Sequence, residues 1–104
     1  MEIQFNTDKN INGNEELTDS LTALIAKELN RFNDQITRLE IHLSDEDSSK
    51  DGINDIRCMI EARLEGLQPM AVTNNANSDE NAVKGAVDKL KSLLNTTLGR
   101  LRNY

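Results

Sequence analysis

Cys58 and His42 are the one thiol and the one imidazole of this 104-residue chain, and together they would supply a nucleophile and its general base. Each sits in a stretch that alternates with period two, the mark of a half-buried strand. Leu39, Ile41 and Leu43 oppose Arg38, Glu40 and His42; Ile56, Cys58, Ile60, Ala62 and Leu64 oppose Arg57, Met59, Glu61 and Arg63. Alternation puts His42 on the outer face and Cys58 on the inner one, so the sheet separates them. Cys58 then reads as a small buried apolar residue, and the chain is not expected to be an enzyme.

The acidic stretch DEDSSKDGIND, with Asp45, Glu46, Asp47, Asp51 and Asp55, invites a calcium loop. A template started at Asp47 places Asp51 and Gly52 fifth and sixth, but Cys58 falls at the twelfth place, where calcium needs a bidentate Glu. The segment also joins strands, not helices. It is expected to be a solvated loop, with no metal and no cofactor.

Phosphate binding is the chemistry the remaining basic residues could perform. The chain carries a formal charge of -6, yet residues 78–104 hold five basic and three acidic groups, a local +2. Lys84, Lys89, Lys91, Arg100 and Arg102 sit there. Such cations neutralise phosphates and release counterions without reading a base sequence. They also complement a helix dipole, which is the ordinary use of positive charge near a helix C-terminus. On the strands, Arg38, His42, Arg57 and Arg63 share the outer face with Glu40 and Glu61, and opposite charges on neighbouring strands are expected to keep that face soluble. The face has no aromatic side chain on which bases would stack.

Six elements must position these groups. EIQFN alternates as a first strand before the turn-rich TDKNINGN. Asn14 caps a helix that opens with Glu15 and Glu16 and buries Leu17, Leu21, Leu24, Ile25, Leu29 and Phe32, reaching about Asn33. The two strands described above follow, and a turn at Gly66 leads to a fourth, PMAVTN, which Pro69 confines to a sheet edge. Ser78 caps the last helix, whose stripe is Ala82, Val83, Ala86, Val87, Leu90, Leu93, Leu94, Leu98 and Leu101, weakened at Gly85 and ended near Gly99. The order β-α-β-β-β-α implies an α+β fold, a four-stranded mixed sheet with both helices on one face. Residues 1–104 are expected to form one domain, cytoplasmic, with no leader and no membrane span.

LIAKELNRF, then DQITRLEIHLSDED, CMIEARLEG and AVDKLKSLLNTTLGRL, in that order and spacing, make the chain resemble the ribosome hibernation-promoting and ribosome-associated inhibitor family, also called sigma-54 modulation proteins. The resemblance implies a fold similar to a double-stranded RNA-binding domain. It also implies a cytoplasmic, stress-linked factor that binds the small ribosomal subunit near the decoding centre and excludes messenger and transfer RNA. Residues matching the family's basic positions are Lys27 and Arg31 in the first helix and Lys89 and Lys91 in the last. With Lys84, Arg100 and Arg102 they form the expected ribosomal-RNA-binding set. The absence of a second, ribosome-pairing domain implies the short form of the family. No small-molecule substrate and no membrane partner are expected. The competing reading is an acidic variant that binds a protein, or itself as a homodimer through the exposed sheet or the Pro69 edge strand, without the ribosome.

Overall fold

The expected β-α-β-β-β-α order is the order of the chain: β1 (Glu2–Thr7), α1 (Glu15–Glu28), β2 (Ile36–Asp45), β3 (Ile56–Leu64), β4 (Met70–Ala76) and α2 (Asp79–Arg102). The computed structural model describes residues 1–8, 15–45 and 56–102, the last two of these for their backbone only. Asn14, the TDKNINGN turn beyond Asp8, and the acidic loop from Glu46 to Asp55 lie outside the described residues.

β1 pairs with β2 in parallel, Ile3 beside Leu39 and Phe5 beside Ile41, so α1 is the crossover that parallel neighbours require. β2, β3 and β4 form an antiparallel meander, and the sheet order is β1-β2-β3-β4. Gly66 takes a φ of 78 in the turn before β4, where a side chain would be strained. Leu39, Ile41, Leu43, Cys58, Ile60 and Ala62 point into one core with Leu21, Ile25, Leu29 and Phe32 of the first helical segment and Ala82, Val83, Ala86, Val87, Leu90 and Leu94 of α2. The opposite sheet face meets water. Leu93 is half-exposed and stays out of the core.

The helices depart from expectation at their ends. α1 stops at Glu28, and a 3-10 turn over Asn30–Phe32 completes the segment. Tighter winding swings Phe32 into the core, with its amide donating to the Leu29 carbonyl at 2.9 Å. α2 begins as predicted, Ser78 Oγ accepting from the Asn81 amide at 3.2 Å. It does not end at Gly99 but runs to Arg102, because Gly99 keeps helical backbone and not the left-handed conformation of a stop.

Gly85 has a packing reason. Asn74 turns inward from β4 and donates from Nδ2 to the Ala82 carbonyl at 3.2 Å and more weakly to that of Asn81 at 3.4 Å. A Cβ on residue 85 would lie inside contact distance of that carboxamide. Gly85→Ala is therefore expected to lower the melting temperature, overpacking at about 1–3 kcal/mol outweighing the roughly 1 kcal/mol that alanine gains over glycine in a helix. Added to Asn74→Ala, the same change should raise it, since the clash is gone and the propensity gain remains.

Candidate nucleic-acid interface

α1 and α2 lie side by side on the sheet, and their seam gathers charge. Glu28, at the end of α1, accepts a 2.7 Å hydrogen bond from Lys91 Nζ of α2. That bond, then the Lys91 charge, hold the carboxyl below its ordinary 4.5 against an opposing effect of desolvation, with lesser contributions from the charges of Lys27 and Lys84. Only Lys91 is in direct contact with this carboxylate among the described residues. A depressed carboxyl contributes stability above its ordinary pKa and loses it as pH falls through the lower folded value. Here the gain is minor, since both partners are about a third exposed.

One turn further along, Arg31 of the 3-10 turn donates to Asn95 Oδ1 of α2, and its guanidinium carbon stands 4.6 Å from the Phe32 ring centroid. Two open grooves flank the Lys91–Glu28 bridge. One, about 390 Å³, runs between Leu24 and Glu28 on α1 and Lys84, Val87 and Asp88 on α2. The other, about 340 Å³, lies where Arg31 meets Asn95.

The seven expected RNA contacts are distributed unequally. Arg31, Lys84 and Lys91 stand along this seam, while Lys27, next to Glu28 in sequence, is exposed and without an ion pair among the described residues. Lys84 holds Glu80 at 2.9 Å across one helical turn, an exposed pair that contributes little and leaves the ammonium free to exchange partners. Lys89 turns the other way and donates to the Thr73 carbonyl of β4 at 2.8 Å. Arg100 falls within about 20° of Lys89 on the helical wheel and is exposed, also without an ion pair among the described residues. Arg102 closes α2, and its side chain lies outside the described residues.

Acidic charge collects at the opposite end of α2. Asp79, in its first turn, has its carboxyl pushed up, by burial first and then by the charge of Asp45 at the end of β2. The base of the acidic loop therefore stands near the helix N-terminus, away from Asn95 and Arg100. For the rest of that loop, the calcium and solvated-loop readings concern residues outside those described.

On the exposed sheet face, like charges oppose one another across the strands: Arg38 faces Arg63 and Glu40 faces Glu61. Opposite charges instead pair along each strand, Arg38 with Glu40 at 3.0 Å and Arg63 with Glu61 at 3.3 Å. Between β2 and β3 this corrects the expected cross-strand pairing, because alternation determines which face a residue takes but not which residue it faces; between β1 and β2 an opposite-charge pair does form across the strands. Arg38 also donates to Gln4 Oε1 and lies 3.8 Å from Glu2. His42 is exposed on this face and Cys58 is fully buried on the other, its thiol pushed up to about 12 by burial, so no thiolate nucleophile is available near neutral pH.

Sequence reasoning overlooked Glu28, Asn95 and Gln35. The available signal was spacing: Lys84, Asp88, Lys91 and Asn95 form one row on α2 at helical intervals, and Glu28 and Arg31 lie one turn apart.

The sequence model of the family described as sigma 54 modulation protein / S30EA ribosomal protein matches residues 9–102. No curated protein matches the chain significantly. Among solved structures, the N-terminal domain of Protein Y from Thermus thermophilus is similar at a TM-score of 0.71 and 21% identity, over 93% of this chain and 99% of that one. A ribosomal subunit interface protein from Coxiella burnetii is similar at a TM-score of 0.66 and 19% identity, over 95% and 99% respectively. At these identities the likeness establishes the fold.

Proposed function

We propose that this chain, which belongs to the sigma 54 modulation protein / S30EA ribosomal protein family, binds the small ribosomal subunit near the decoding centre and excludes messenger and transfer RNA by occupying their place. The observation that carries this reading is the placement of Arg31, Lys84 and Lys91 along the α1–α2 seam, with Lys27 next to Glu28 in sequence. An acidic protein meets polyanionic RNA where local positive charge outweighs local negative charge, and here four cations, Lys27, Arg31, Lys84 and Lys91, stand against the three carboxylates Glu28, Glu80 and Asp88. Lys27, Arg31, Lys84 and Lys91 form the primary contact, with Lys89, Arg100 and Arg102 on the flank of α2 as outer contacts. Occupancy alone blocks the site, so no bond is made or broken.

Co-sedimentation with small subunits across a salt series tests it. Binding should weaken steeply as salt rises, since each neutralised phosphate releases counterions. Glu28→Gln removes the carboxylate that ties up Lys91 and should tighten binding, with a salt slope steeper by up to about one. A protein that stays at the top of the gradient at low salt refutes the reading. The competing self-association loses support at β4, where Lys89 already occupies the Thr73 carbonyl.

A further inference from the structure

The slot between the 3-10 turn and the last turns of α2 has about 340 Å³ and is lined by Arg31, Phe32, Gln35, Asn95, Leu98 and Gly99. That is the low end for a small-ligand site, room for one flat group. Its walls describe that group. The Arg31 guanidinium contacts Asn95 and lies over the Phe32 ring, so a planar cation stands at the entrance. A guanidinium plane can stack on an unpaired base.

The polar atoms suit a base edge. Gln35 lines the slot, and its Oε1 has no hydrogen-bond partner among the described residues, so a turn of the carboxamide would bring an uncommitted acceptor to a ligand. Asn95 spends its carbonyl on Arg31 and keeps its amide N–H groups as donors. Gly99 opens the remaining wall, since among the described residues nothing lies within 4 Å of where its Cβ would stand. A base presents a donor and an acceptor on one edge and two flat faces, which this arrangement would satisfy together.

We propose that this slot receives one unpaired nucleobase of RNA, stacked on Arg31 and hydrogen-bonded at its edge by Gln35 and Asn95. The proposal rests on the RNA-binding reading above and adds to its phosphate contacts a point that holds a base.

Gly99→Leu tests it, because the new side chain enters open space, fills the slot and alters no charge. Binding to small subunits should weaken roughly tenfold at every salt concentration, the change expected for losing about 1.4 kcal/mol of stacking, with the salt slope unchanged. Removing a cation from a phosphate would instead lower the slope by about one. Arg31→Lys, which keeps the charge and loses the plane, should behave like Gly99→Leu. A melting temperature no lower than wild type confirms that both variants fold. Wild-type affinity in both overturns the proposal while leaving ribosome binding intact. If the wild-type protein binds no subunits, single-stranded oligo(A) and oligo(U) are titrated against it and the Gln35 and Asn95 side-chain amides followed by NMR. Shifts abolished in Gly99→Leu support the slot alone, and unmoved amides overturn it.

Discussion

Lys27→Glu/Lys84→Glu is expected to bind small ribosomal subunits roughly 30- to 60-fold more weakly near 0.1 M salt, with the magnitude of its salt slope reduced by about 1.4–1.8. The figure follows from withdrawing two cations from RNA phosphates, each of which carries a slope of about 0.7–0.9. Charge reversal adds repulsion, since the new carboxylate at residue 84 joins Glu28 and Asp88 along one groove and that at residue 27 stands next to Glu28 in sequence. The fold should survive. Both lysines are exposed, and the new neighbours of residue 84, Glu80 and Asp88, oppose it across single helical turns at only ~0.2–0.5 kcal/mol each. Co-sedimentation over a salt series, with a thermal melt as control, separates the two effects. Unchanged affinity and slope in a folded variant would move the RNA contact off this seam.

Leu29→Ala should have the largest effect on stability. Leu29 is completely buried where α1 hands over to the 3-10 turn; its amide donates to the Ile25 carbonyl at 3.0 Å and its carbonyl accepts from Phe32. Truncation leaves a cavity and costs about 2–5 kcal/mol, a large part of the ~5–15 kcal/mol that holds a small domain together. In a domain of this size the melting temperature falls by about 10 °C or more. The same junction carries Lys27, Glu28 and Arg31, so subunit binding should fall in step with the folded fraction. Leu29→Met, which conserves volume, should cost under about 1.5 kcal/mol and retain binding. A melt of Leu29→Ala close to wild type would mean that this junction does not anchor the seam.

The two variants probe different levels of organisation. Lys27 and Lys84 act through a field that any arrangement of nearby cations would produce, whereas Leu29 acts through the packing that brings those cations together. Glu28 links the levels: it lowers the local positive charge, yet its bond to Lys91 ties α1 to α2.

Element order, strand faces, the Ser78 cap, the parallel β1–β2 crossover and the opposite placement of His42 and Cys58 follow from the sequence by itself. These depend on periodicity and local capping, which are written in neighbouring residues. The end of α1 and the course of α2 past Gly99 were less accessible, because the last turns of a helix answer to tertiary packing as much as to propensity. The seam was decided only by the tertiary structure. Lys91 meets Glu28 across 63 residues and Arg31 meets Asn95 across 64, while Lys89, two positions from Lys91, turns to β4. A helical period assigns each cation to a side of its own helix, but the side chains it meets depend on how the two helices settle on the sheet, a distance and an angle that no local pattern encodes.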